Sequence, residues 1–178
     1  RKDKCLYRYA KRHIDLSSFD CILCSSFNVF PLKAASMIAA ETRKPLYIDL
    51  RDITEQWGNT NYMVTSISLV GKIGQWLTNL YIRKTTKQRN HILQRATAVT
   101  TISQWHKKLL QQYNPSTHLI YNGYDPAIYT YQPVTTSQFI ISYTGRIYDL
   151  QSRNPLLFLQ AISALRKEQL IANTKIIF

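Results

Sequence analysis

The chain has 178 residues, 45% of them hydrophobic, and a mean hydropathy of -0.24, values that point to a folded, soluble core rather than a disordered chain. Lys and Arg number 23 against 10 Asp and Glu, giving a formal net charge of +13. That balance favours an anionic partner (nucleotide phosphates, an anionic membrane leaflet or nucleic acid), although a solvated basic face would carry the same charge.

Asp20-Cys21-Ile22-Leu23-Cys24 is the first apolar run and predicts a buried strand. Cys21 and Cys24 have C-x-x-C spacing, but residues three apart on a strand point to opposite faces, which is poor geometry for a shared metal. Free buried thiols, Cys5 included, in a reducing cytoplasm are the expectation, with no metal and no cofactor. Pro31 to Glu41 predicts a helix, with Pro31 in its first turn where a missing N–H costs nothing. Pro45-Leu46-Tyr47-Ile48-Asp49-Leu50 predicts a second strand, ending in Arg51-Asp52, and a loop follows around Trp57-Gly58-Asn59.

Residues 67–94 predict one long helix. Leu69, Val70, Ile73, Trp76, Leu77, Leu80 and Tyr81 recur at steps of three and four, and Arg83, Lys84, Lys87, Arg89 and Arg95 follow. An apolar stripe of this width usually packs into a core and leaves a solvated basic end. The alternative is a helix lying on an anionic leaflet, a peripheral contact at the inner face of the membrane by a cytoplasmic protein. No acidic residue occurs between Glu55 and Asp125, which sharpens the basic field. No apolar run reaches the roughly 18 residues a spanning helix needs.

Ala98 to Ile102 predicts a strand, Ser103 caps the next helix, Leu119-Ile120-Tyr121 predicts another strand, and Asn122-Gly123-Tyr124-Asp125 a turn. Tyr129 to Ser137 reads as a linker. A new cycle opens with a strand at Phe139 to Tyr143, a Gly145-Arg146 turn, a helix over 154–169 and a strand over 175–178. Strands alternating with helices imply parallel βαβ units and an α/β sheet with helices on both faces. The expected division is 1–132 and 133–178. Arg1 is not Met, and the last residues form an apolar run without a turn signal, so both ends read as cuts through a larger fold.

Ligands of open α/β sheets bind at the carboxyl ends of strands, which singles out Asp49, Arg51, Asp52, Ser103, Asn122, Gly123, Asp125 and the segment 144–153. Gly145 lets a ligand approach the backbone, Arg146 offers a planar fork of donors, and Arg153 precedes a helix N-terminus. Together they make a plausible diphosphate cradle without a metal.

The order of these pieces resembles the interdomain region of GT4-type glycosyltransferases. Asp49-Leu50-Arg51-Asp52 is similar to that family's D-x-R-D segment, and Ala96 to Ser103 to its strand and helix start, with Thr97 where Asp is commoner. Asn122-Gly123-Tyr124-Asp125 matches an N-G-x-D turn, Tyr129 the aromatic after it, and Gly145-Arg146 the G-R that ends a strand. The resemblance implies a GT-B enzyme of two Rossmann-like domains. Residues 1–132 would be the later part of the acceptor-side domain and 133–178 the start of the donor-binding one. It implies transfer of a sugar, with retention, from a nucleotide-sugar to a glycan or lipid-linked acceptor. Gly145, Arg146 and Arg153 would contact the donor diphosphate, Asn122, Gly123 and Asp125 the hinge, and Asp49, Arg51, Asp52 and Ser103 the acceptor-side cleft. The Lys that usually follows the G-R is absent, Arg153 being the nearest substitute. The family's E-x7-E motif and glycine-rich first loop would fall outside 1–178, so this stretch alone is expected to be inactive. The rivals are a GT-B nucleotide-sugar epimerase, which would need a His–carboxylate pair in the cleft, and a basic nucleic-acid-binding domain. The second needs exposed aromatics among the basic residues, whereas the aromatics here fall mostly inside apolar runs, so no nucleic acid is expected.

Overall fold

Three apolar runs and the segment leading into a fourth become the strands of one sheet in the computed structural model, which describes residues 2–27, 29–56, 72–145, 154–171 and 173–177, the side chains of 72, 73 and 75 excepted. They are β1 (Ile22–Ser25), β2 (Leu46–Leu50), β3 (Ala98–Thr101) and β4 (Thr117–Leu119), joined in the order β1-β2-β3-β4. All three pairings are parallel, with Cys24 opposite Ile48, Ile48 opposite Val99 and Val99 opposite Thr117. The helices α1 (Lys2–His13), α2 (Leu32–Thr42), α3 (Lys72–Leu93) and α4 (Gln104–Leu110) belong to the same unit. It is an α/β layer compatible with a Rossmann-like fold. The chain divides into two compact units, Arg1–Tyr124 and Asp125–Phe178.

A sheet wound strictly in sequence with crossovers of one hand carries its connecting helices on a single face. The burial follows that rule. Leu46, Ile48 and Leu50 of β2 and Val99 of β3 pack with Leu32, Ala35 and Ala39 of α2, Ile92 and Leu93 of α3, and Leu110 of α4. The alternate residues face the other way, and Leu23, at 72% exposed, and Tyr47 remain open to solvent. Coverage of both faces is therefore corrected: among the described residues helices cover one face. The strand predicted at Cys21–Cys24 forms as β1, but its burial is corrected: Cys24 enters the core and Ile22 packs against it, while Leu23 and the Cys5 and Cys21 thiols are exposed.

α1 was not anticipated from the sequence. It docks on α2, where Asp3 Oδ1 accepts from the Ala34 N–H at 3.1 Å, supplying the cap that Pro31 has no side chain to give. Tyr7 and Lys11 both reach Glu41 at the far end of α2. α2 closes on Arg43 in the left-handed conformation, φ 57, which disfavours any residue with a Cβ. Arg43→Gly is expected to raise stability by about 0.5–1 kcal/mol, read as a shift in the urea midpoint.

Ser103 caps α4 by accepting from the His106 N–H at 3.1 Å. β4 begins two residues before the predicted run, because Asn114 fixes its approach. The Asn114 amide donates to the Leu93 and Ala96 carbonyls at 2.8 Å each, and its oxygen accepts from the Ser116 N–H. Ile120 and Tyr121, the expected strand residues, are exposed beyond the strand end.

The second unit is one βαβ turn: β5 (Phe139–Ser142), α5 (Leu156–Lys167) and β6 (Thr174–Ile177), with Ile141 opposite Ile176 in a parallel pair. α5 buries Ile162.

Candidate functional site

Because β1 to β4 are parallel, their carboxyl ends line one edge of the sheet, and the residues just past those ends gather there. Asp49 stands one residue before the end of β2, on the open face, opposite Ser25 of β1 and Thr100 of β3. Thr100 Oγ1 donates to Asp49 Oδ1 at 2.6 Å, and Ser25 Oγ donates to Oδ2 at 3.3 Å. Arg51 Nε donates to the same Oδ2 at 2.9 Å. The Arg51 Nη1 then donates to Asn122 Oδ1 at 2.9 Å and to the Ile120 carbonyl at 3.4 Å. Arg51 thus ties the end of β2 to the segment after β4.

Burial of Asp49 works to raise its pKa, but the hydrogen bonds from Thr100, Arg51 and Ser25 and the guanidinium charge outweigh it, leaving the carboxyl below its ordinary value. The carboxylate is therefore ionised and held. Among the described residues Arg51 Nη2 makes no hydrogen bond, so two N–H donors of a positioned guanidinium remain for a ligand. The ion pair is neutral as a whole, which weakens its pull on a bare anion. A held acid beside a held base instead suits a ligand rich in hydroxyls, each of which both donates and accepts.

A second polar cluster lies just behind. Asp52 Oδ1 accepts from Gln56 Nε2 at 2.7 Å. Glu55 takes a two-pronged contact from Arg89 of α3, at 2.8 and 2.6 Å, and Asn90 Oδ1 accepts from Arg89 Nε and Nη2. Arg89 is only 2% exposed. Desolvation pushes the Glu55 pKa up, yet the Arg89 hydrogen bonds and charge bring it below its ordinary value.

His106 of α4 is buried, its Nδ1 3.2 Å from Thr101 Oγ1. That hydroxyl spends its one hydrogen on the Leu50 carbonyl at 2.8 Å, so the imidazole must donate through Nδ1–H. Desolvation lowers the His106 pKa more than the charges of Asp52 and Glu55 raise it. A histidine whose folded pKa is depressed contributes stability above its unfolded value, and that contribution fades as pH falls towards the folded one. The urea midpoint is therefore expected to decline below about pH 6.5, the ordinary histidine value, before the lowered carboxylates Asp49 and Glu55 add their own loss in more acidic solution. In His106→Gln the first decline should vanish and the second remain; an unchanged first decline would assign it elsewhere.

Of the residues singled out from sequence, Asp49, Arg51 and Asn122 are brought together by hydrogen bonds. Asp52 joins the cluster behind them through its charge on His106. Ser103 is occupied in capping α4. A Cβ built on Gly123 meets nothing within 4 Å, so no tight turn demands glycine there. The expected turn at Asn122–Asp125 is corrected: it starts at Asp125, whose carbonyl accepts from the Ile128 and Tyr129 N–H groups and whose Oδ1 accepts from Ala127 N. Within the second unit, a Cβ at Gly145 would meet the Tyr143 hydroxyl at 2.8 Å, so a side chain there displaces that ring. Arg146 and Arg153 lie outside the described residues.

Ser25 and Thr100, the two hydroxyls that hold Asp49, escaped the sequence reading. Their signal was the strand pattern: if successive strands are neighbours, both fall opposite Asp49. The cysteine pair does not converge on a ligand, and burial pushes the Cys24 thiol up to about 11, far from a thiolate at neutral pH. Among the described residues, no group of three or more His, Cys, Asp or Glu is placed to hold a metal.

No family model and no curated protein matches this chain. Among the described residues no helix is long and apolar enough to cross a membrane.

Proposed function

We propose that this chain is part of a GT-B nucleotide-sugar glycosyltransferase, with Arg1–Tyr124 on the acceptor side and Asp125–Phe178 opening the donor-binding domain. The observation that carries this proposal is the Arg51–Asn122 hydrogen bond of 2.9 Å. It joins the D-x-R-D segment to the N-G-x-D segment, two pieces that resemble the same family and lie 71 positions apart in the chain. Their meeting at the carboxyl edge of a parallel sheet is where an α/β enzyme builds its ligand cleft. The neutral Asp49–Arg51 pair supports a hydroxyl-rich acceptor such as a glycan or the sugar of a lipid-linked glycan. On the donor side, Gly145, Arg146 and Arg153 would take the diphosphate of the nucleotide-sugar without a metal, the arginines by charge-assisted hydrogen bonds. Transfer with retention comes from the family resemblance.

The test is binding of UDP, GDP, ADP and dTDP to the full polypeptide by calorimetry, followed by turnover of the matching nucleotide-sugars. One nucleoside diphosphate should bind, and Arg146→Ala should weaken it about tenfold to a hundredfold, the worth of a hydrogen bond to a charged group. Arg51→Ala should raise the acceptor KM and leave nucleotide binding unchanged. Absence of binding to all four nucleotides, together with no turnover of any of the sugars, would sink the proposal.

A further inference from the structure

Among the described residues of α3, the buried ones lie towards its two ends. Arg89, Ile92 and Leu93 near its end are buried, and Gly74 near its start is buried on the same side. The side away from the core carries large apolar groups in solvent: Trp76 is 60% exposed, Leu77 40% and Leu80 43%. At 3.6 residues per turn, Trp76, Leu80, Arg83, Lys84 and Lys87 run along one stripe roughly opposite Arg89, with Leu77 at its flank, while Tyr81 is exposed but falls in line with Gly74 and Ile92. The expected packing of the Trp76–Tyr81 stripe into the core is thereby overturned; the side chains of Leu69, Val70 and Ile73 lie outside the described residues.

We propose that this outer face of α3 is a docking surface for an anionic lipid bilayer. Two features together select that partner. Trp76, Leu77 and Leu80 provide the insertion: the indole with its polar edge settles at the headgroup level while the leucines reach the acyl boundary. Arg83, Lys84 and Lys87 provide the charge, and among the described residues none of them has a carboxylate within ion-pair distance. α3 itself contains no acidic residue. A purely protein partner would be served by the apolar cluster without three adjacent unpaired cations. A nucleic acid would use the cations and the rings but leave two leucines against water. An anionic leaflet uses all six side chains, Trp76, Leu77, Leu80, Arg83, Lys84 and Lys87. The helix is not apolar enough to cross, so it lies on the surface. This inference is independent of the glycosyltransferase proposal, since it uses no residue of the cleft.

The experiment is sedimentation of the full polypeptide with vesicles of phosphatidylcholine alone and of phosphatidylcholine mixed with phosphatidylglycerol, in dilute and concentrated NaCl. Binding to the mixed vesicles in dilute salt, little binding to the neutral ones, and loss in concentrated salt are expected. Each neutralised cation should weaken binding about fivefold, so R83Q/K84Q/K87Q should lower partitioning on the order of a hundredfold. W76A/L80A should also release the protein. All these positions are exposed, so an unchanged circular dichroism spectrum is expected in both variants. No binding to mixed vesicles in dilute salt, or equal binding to both kinds, would overturn the proposal without recourse to any variant. So would a dimer in solution that W76A/L80A dissolves while the vesicles capture nothing, because the face would then belong to a second copy.

Discussion

Glu55→Ala will destabilise the first unit by about 3–5 kcal/mol, although Glu55 belongs to no catalytic constellation. The reason is what it leaves behind. Arg89 is buried on α3, and its guanidinium charge needs a carboxylate wherever solvent is missing. Glu55 gives it two short contacts, and the neutral Asn90 oxygen would be its sole remaining partner among the described residues. Arg89 would have to swing outward, pulling on the end of α3 where Ile92 and Leu93 fill the core. Tryptophan fluorescence during urea unfolding is the measurement, because all three tryptophans, Trp57, Trp76 and Trp105, fall in the first unit. Replacing both partners, Glu55→Leu with Arg89→Met, should recover most of the loss. If Glu55→Ala costs less than about 1 kcal/mol, the pair is solvated and the burial of Arg89 does not govern this region.

Local signals made much of this fold legible. β1, β2, β3 and β5 fall on short apolar runs, and α2, α4 and α5 lie within or close to their periodic stretches. Ser103 was readable as a cap because a capping side chain acts on the N–H three residues ahead. α1 was not readable: its sequence is mostly polar, only Ala10 is buried, and the helix is held by contacts to α2 that lie some 30 residues away in the chain. The outward stripe of α3 misled for a related reason, since periodicity reveals an apolar face but not what lies opposite it. The site divides in the same way. Asp49, Arg51 and Asn122 could be picked out because strand ends are local features. The hydroxyls of Ser25 and Thr100 depend on which strands are neighbours and in what register, and no single segment carries that information.

Adjacent residues of β2 offer the sharpest test of the one-sided sheet. Ile48 is 1% exposed, between Cys24 and Val99 on the helix-covered face, and Ile48→Ala should cost about 2–5 kcal/mol in the same fluorescence assay. Tyr47 is the next residue back, pairs with Leu23 and Ala98 on the open face, and is larger. Tyr47→Ala should nonetheless cost less, about 1–2 kcal/mol, because Tyr47 is 38% exposed and its removal leaves a dent open to water rather than a closed cavity. The contrast reverses the order that side-chain size alone would give. It also bears on the cleft, since Asp49 shares its face with Tyr47 and not with Ile48. A large loss in Tyr47→Ala would mean that further protein covers the open face, and Asp49 and Arg51 would then be approached from the strand ends rather than across the sheet.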